Sequence, residues 1–390
     1  MSLDDSLARC THTADLAAAP IDITLDDFPV ARWMRFLALL PGEHVHSGGF
    51  VAKLTYTLYT AFVIACQFLA APYALYMHWL HPEENDWLED AFFSVLCIQA
   101  PLAWGFLYWY LRSEHFRQMM VPMMHMREEL QIVQQTRTVQ DPLNRQTWYR
   151  VNLIISVTLN LLYFAWLAHD VYPAPSFQPF GLFVRCLFYA LPCTFFYRLM
   201  APMVLCEVFS WIASLHIAKI VAFRAGHDRQ QSGRRLFLDL RQNIRDRKSS
   251  EKVWLFGFLV SVAMPCVSVV MYMLLCIRSL KFVVTVWFFP FFVLHFVVQA
   301  WQTFLSAANI TEKSASVRLE IVEKIILQEV TFEEQDFQIE AYISYLSTCY
   351  QGFQVFGIPI TYQVVARLGQ IMVVSCLPVA VKYVVFAKAD

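Results

Sequence analysis

Charged residues are scarce in this sequence. Asp, Glu, Lys and Arg make up 16% of its 390 residues, while apolar residues reach 58% and mean hydropathy is +0.45. Ordinary soluble domains carry about 25% charged residues, so a soluble globular fold of this length is excluded. Glycine is scarce too, at 11 residues, and no Gly-rich phosphate loop is present. The ten cysteines form no CxxC pair. Most fall in apolar runs (Cys66, Cys97, Cys186, Cys193, Cys206, Cys266, Cys276, Cys376), which argues for buried thiols and against a disulfide frame or metal site. A net charge of -1 gives no basis for nucleic-acid binding. No Ser/His/Asp set or paired-carboxylate site occurs, so neither an enzyme nor a cofactor is expected. The N-terminal ~50 residues lack the charged-then-apolar pattern of a cleaved signal, and the first apolar run is expected to act as an uncleaved anchor.

What remains is apolar sequence in long runs. Seven segments, 54–79, 90–111, 150–169, 180–223, 253–277, 282–305 and 358–386, are each long enough to cross a ~30 Å hydrocarbon core. Basic residues cluster in alternate connections: Arg112, Arg117, Arg127, Arg137, Arg145 and Arg150 after the second run, Arg224 to Lys252 after the fourth, and Lys313, Arg318 and Lys324 after the sixth. The tracts 80–89 and 170–178 hold none, and the turn after the fifth run holds Arg278 and Lys281. Basic loops stay inside. The expected fold is an all-α integral membrane protein with seven transmembrane helices, a cytosolic N-terminus and an extracellular C-terminus.

The parts divide accordingly. Residues 1–50 form a cytosolic N-terminal segment, 51–305 hold helices one to six, 306–357 form cytosolic anchor helices, and 358–390 hold the last helix. Asp27 as a cap and Pro29 in a first turn predict a short amphipathic helix over Val30–Leu40. Trp33, Phe36, Leu37 and Leu40 make its apolar face, suited to the inner membrane surface. The fourth run is about twice the length a bilayer needs. Arg198-Leu-Met-Ala-Pro202 is a poor hairpin, so one long helix containing Pro192 and Pro202 is expected. Glu312 to Gln328 aligns Val317, Ile321, Val322, Ile325 and Ile326 on one face, which must bury against other helices or other subunits. A second helical stretch runs from Phe337 to Phe353, and the last helix is expected to begin at Pro359.

Polar residues inside apolar runs mark function by default. Gln363, Arg367 and Gln370 fall at i, i+4 and i+7 on one helix face. They can line a pore with Ile371 among the apolar residues of its constriction. Equally, Arg367 can pair with Glu333 or Glu334 while the glutamines cement helix packing. Arg185, Arg198, Glu207 and Lys219 lie in the fourth run, where interface pairing outweighs a ligand-binding role. His169-Asp170 suits a pocket entrance, and His295 a hydrogen-bonded core histidine. The methionines of Met119–Met126 invite copper, but a single cluster beside Arg117 and Arg127 fits an adaptable apolar face better, so no metal is expected. Asn309-Ile-Thr311 matches a glycosylation pattern but falls on the cytosolic side.

This layout resembles the insect gustatory and odorant chemoreceptor superfamily along nearly the whole chain, from Phe28-Pro-Val-Ala-Arg-Trp-Met-Arg-Phe to Gly-Ile-Pro-Ile-Thr-Tyr-Gln363. The gustatory Thr-Tyr signature is not met, since Thr361-Tyr362 is followed by Gln363-Val-Val-Ala-Arg367. The resemblance implies a ligand-gated cation channel of the plasma membrane, a homotetramer or a heterotetramer with a related subunit, bathed in membrane lipid. Its last helix would line the pore. A small-molecule pocket in the outer half would draw on Phe92, Tyr163, Trp166, Tyr189, Trp287 and Phe291. A G-protein-coupled receptor would need an external N-terminus and the motifs Asp-Arg-Tyr and Asn-Pro-x-x-Tyr, which are missing. A transporter would show inverted repeats.

Overall fold

The structure, a computed structural model, describes residues 31–40, 49–68, 87–114, 116, 145–166, 181–228, 233–278, 288–327, 338–349, 352–371 and 374. Nearly all of them are helical. We number the helices α1 Ala31–Phe36, α2 Phe50–Phe68, α3 Trp87–Arg112, α4 Arg145–Trp166, α5 Gly181–Asp228, α6 Gly233–Phe258, α7 Met264–Arg278, α8 Phe288–Ile326 and α9 Ile339–Cys349. A two-residue hairpin, β1 Gln354–Val355 with β2 Ile358–Pro359, leads into α10, residues 362–371. Three helical stretches among the described residues are long and apolar enough to cross a membrane: Phe50–Phe68, Phe196–Ala213 and Gly233–Met271.

The fourth apolar run is a single helix. α5 has 48 residues, ~72 Å at 1.5 Å each, and both Pro192 and Pro202 stand inside it. It is the spine of the bundle, packed by α2, α3, α4, α6 and α8. The basic connection 224–252 is not a loop. It continues α5 to Asp228 and then forms α6. α8 likewise runs through the boundary at 305, so the sixth apolar run and the first amphipathic stretch are one 39-residue helix.

Between α6 and α7 the helix widens into a π segment, Leu259–Ala263, where Met264 N donates to Leu259 O. Pro265 supplies the reason: it has no N–H to continue the ladder. The Val260 carbonyl accepts instead from Gln99 Nε2 of α3 at 3.0 Å, and Ser261 Oγ donates to Gly257 O at 2.7 Å. A neighbouring helix thus satisfies a backbone group that lipid could not.

The short N-terminal helix forms, but protein rather than lipid covers its apolar face. Met34, Leu37, Leu39 and Leu40 are buried, and Phe36 stacks on Tyr197 of α5 at 4.6 Å. The helix ends in a Schellman turn, with Ala38 at φ 53° and bonds Ala38 N→Arg35 O and Leu39 N→Met34 O. Its open carbonyls take side-chain donors: Tyr59 on Phe36 O, Trp104 on Leu37 O, Tyr56 on Ala38 O and Arg112 on Leu39 O. These four bonds tie the segment to α2 and α3.

At the charged end, salt bridges bind the long helices together. Lys219 of α5 pairs with Asp246 of α6, and Arg224 of α5 with Glu320 of α8 at 2.6 Å. Val317, Ile321 and Ile325 are buried within the chain itself, so this face belongs to the chain's own core. Ile326, assigned to the same face from its spacing, is 69% exposed.

Two boundaries need correction. The second helical stretch ends at Cys349, and Pro359 does not open the last helix. It lies in β2, opposite Gln354 across a two-residue turn. Phe356 (φ 52°) and Gly357 (φ 79°) are both left-handed, the geometry of a tight hairpin. Helix α10 starts only after Thr361, whose Oγ1 accepts from Val364 N at 3.3 Å and whose carbonyl accepts from Val365 N at 3.0 Å.

Close approach at Gly257 generates a stability prediction. A Cβ there would fall 1.7 Å from Cζ of Phe209, a fully buried ring packed against Trp254. Gly257→Ala should lower stability by about 1–3 kcal/mol through overpacking, read as a drop in thermal unfolding temperature in detergent. Adding Phe209→Leu should recover part of the loss.

Candidate functional site

Two groups of residues meet the expectations for a site, one on α10 and one between α5 and α8. On α10, Gln363, Arg367, Gln370 and Ile371 are all exposed, together with Val374 beyond them. The opposite side of the helix is fixed to the bundle. Val365 is buried, Val364 and Leu368 pack on the core, and a Cβ on Gly369 would come 2.9 Å from the Trp301 ring of α8. The sequence stripe is therefore one structural face, directed away from its own bundle.

The start of α10 is held from α8. Tyr362 Oη donates to Asn309 Oδ1, and Thr311 Oγ1 accepts from Phe353 N at 2.9 Å. Gly352 is pressed against Thr311, where a Cβ would lie 2.6 Å from its Cα. Both polar ends of the Asn309-Ile-Thr311 sequon thus serve the joint between α8 and the hairpin. Sequence reasoning read them only as a glycosylation pattern.

The second group is a polar seam buried between α5 and α8. Gln302 Nε2 donates to Glu207 Oε1 at 2.8 Å and to Ser210 Oγ at 3.2 Å, and Ser210 and Ser306 hydroxyls lie 3.0 Å apart. Thr303 Oγ1 sits 3.0 Å from Gln299 O, 3.3 Å from Ser261 Oγ and 3.6 Å from Cys206 Sγ. The π segment is thereby joined to the same seam. Its signal in the sequence was the spacing Gln299, Gln302, Thr303, Ser306 inside an apolar run, which marks one helix face.

At the upper end of this seam, His295 is a hydrogen-bonded core histidine. Gln299 Nε2 lies 2.6 Å from His295 Nε2. With the amide donating, the ring proton is assigned to Nδ1. His295 Nδ1 and Gln299 Oε1 are buried and reach no hydrogen-bond partner among the described residues. In this assignment the pair leaves one donor, Nδ1, and one acceptor, Oε1, for a further polar group such as a hydroxyl or a water.

The aromatic positions are only partly placed. Phe92 lies on α3, Tyr163 and Trp166 on α4, Tyr189 on α5 and Phe291 on α8, with α4 packed on both α5 and α8 and α3 on α5. Phe291 stands one helical turn before His295. Trp287, His169, Asp170 and the methionine cluster of 119–126 lie outside the described residues, as do Glu333 and Glu334, the acids proposed for Arg367. Among the described residues no group of three His, Cys, Asp or Glu side chains gathers to hold a metal ion.

The whole arrangement has known counterparts. The insect olfactory receptor OR5 of Machilis hrabei, solved in complex with eugenol, matches with a TM-score of 0.57 at 10% identity, covering 90% of this chain and 98% of that one. A second structure of that receptor matches with a TM-score of 0.57 at 12% identity, covering 93% of this chain and 99% of the other. The chain has an insect olfactory-receptor fold. At this identity the likeness is one of fold, and it joins three helical stretches long and apolar enough to cross a membrane. No family model matches the sequence, and no curated protein matches it.

The seam generates a second prediction. Gln302→Leu would remove the amide from the buried Glu207 carboxylate, at about 1–3 kcal/mol for a hydrogen bond lost to a charged group. Thermal unfolding in detergent should shift down. Glu207→Gln, which keeps a side-chain acceptor, should cost less than Gln302→Leu.

Proposed function

We propose that this chain is a subunit of a chemoreceptor-type, ligand-gated cation channel in the plasma membrane. Seven spans would place the N-terminus in the cytosol and the C-terminus outside. Four subunits, identical or with a related partner, would surround one pore lined by Gln363, Arg367, Gln370 and Ile371. The observation that carries this reading is the α10 face. An arginine with two glutamines, turned away from its own bundle, would cost about 2.5–3.5 kcal/mol against lipid for the arginine alone. Water on a shared axis removes that cost. The chemoreceptor fold supports the same arrangement.

The charged end, residues 306–357 with the ends of α5 and α6, would anchor the subunits. Leu319, Ile326 and Leu327 remain exposed there after the subunit's own core has formed, and apolar surface of this kind suits a partner helix. The ligand would be a small molecule held among Phe92, Tyr163, Trp166, Tyr189, Trp287 and Phe291. His295 and Gln299 at its inner end would favour a compound carrying a hydroxyl group.

Accessibility of epitope tags tests the orientation. A C-terminal tag should be stained on intact cells and an N-terminal tag only after permeabilisation; the reverse pattern would overturn the channel reading.

Reversal potentials in mixed-salt gradients test the pore. Gln370→Glu should raise cation over anion permeability by adding one carboxylate per subunit to a narrow path. Gln370→Leu should cut current with surface expression unchanged, and Arg367→Gln should alter selectivity. Unchanged selectivity across the three variants would mean that this face meets protein, not water.

A further inference from the structure

A groove of about 1000 Å³ runs between α6 and α9 at the charged end. Arg241, Arg245 and Lys248 line it from α6, and Tyr345 lines it from α9. The three cations stand at i, i+4 and i+7, one stripe about 10 Å long. All three are exposed. Its own helical stretch neutralises the stripe only in part, through Glu251, which faces both Arg247 and Lys248. Asp246 is taken by Lys219 and Gln242, and Glu251 lies 3.8 Å from Arg247. The acid on the rim, Asp239, has Arg235 beside it, and burial raises its carboxyl above the ordinary aspartate range. Tyr345 is held in place by ring packing on Phe237 at 5.2 Å.

Depth selects the ligand. If the fifth span starts near residue 253, the helical rise puts Lys248 about 7 Å, Arg245 about 12 Å and Arg241 about 18 Å beyond the hydrocarbon. Headgroups of ordinary phospholipids fill only the first ~5–7 Å on each side. They reach Lys248 and no further. A phosphorylated sugar ring standing off its diester reaches the next cation as well, and several phosphates match several cations.

We propose that this groove binds the polyphosphorylated inositol headgroup of a lipid in the adjacent leaflet. The assignment of that leaflet rests on the span placement given under the proposed function. The binding itself does not depend on conduction.

The test uses the full-length protein in neutral detergent–lipid micelles, with bound lipid counted by native mass spectrometry. The probes are phosphatidylinositol bisphosphate, phosphatidylserine at equal total charge, and soluble inositol hexakisphosphate. The wild type should retain the bisphosphate lipid over phosphatidylserine, and the triple variant Arg241→Gln, Arg245→Gln, Lys248→Gln should lose affinity at least tenfold. Equal retention of phosphatidylserine would reduce the site to a general electrostatic field and overturn the proposal. So would unchanged lipid binding by the triple variant, or dissociation of its oligomer, which would make the groove a subunit contact. Tighter binding of the soluble phosphate than of the lipid would assign the groove to a free cytosolic polyanion instead. Should the triple variant fail to fold, Lys248→Gln alone, with soluble phosphate competing for the wild-type site, gives the same reading. Retained lipid with no ligand-gated current would sink the channel reading alone; current without lipid retention would sink this one alone.

Discussion

The buried hydrogen bonds between α5 and α8 hold the rest of the structure in register. In lipid, apolar side chains gain nothing by leaving one apolar surface for another, so helix faces are not sorted by the hydrophobic effect. Interhelical hydrogen bonds, at roughly 0.6–2 kcal/mol each, then choose the partner and the register. Glu207, Ser210, Gln302, Thr303 and Ser306 make such a choice over about one turn of each helix. Ser261 brings the π segment to the same place, and Gln99 brings α3 to the carbonyl beside it. Once α5 and α8 are fixed, the charged end of α5 reaches α6 at fixed points, Lys219 with Asp246 and His216 with Ser250 at 3.0 Å.

The N-terminal helix shows the same economy from another side. Six residues cannot be stable alone. Phe36 and Leu37 contribute packing, but four donors on α2 and α3 complete the carbonyls that a short helix leaves open. Residues 31–40 are therefore part of the bundle and do not depend on lipid for their position.

Much of this was legible in the residue pattern. An apolar run of 44 residues with no good hairpin signal meant one helix, and α5 is one helix. The spacing of Val317, Ile321 and Ile325 identified a buried face. What covers such a face cannot be read from spacing, since a neighbouring helix and a neighbouring subunit present the same chemistry. The hairpin was missed because its turn is Phe356-Gly357 rather than Asn-Gly, and Phe in a left-handed conformation is uncommon. The polar seam was visible on α8, yet its partners on α5 lie over ninety residues away and only the fold brings them together. The exposed face of α10 agreed with its periodicity. The aromatic positions had no such support, because aromatic side chains make up 16% of this chain.

The continuity of α8 has a mechanical consequence. One helix carries His295 and Gln299 near its beginning, and Asn309 and Thr311, where α10 and the hairpin are fastened, some 21 Å further along by the helical rise. No loop intervenes to absorb a displacement. A rigid tilt of α8 about the seam would therefore move His295 and the root of α10 together. The chain thus contains a lever with its fulcrum at the α5 seam.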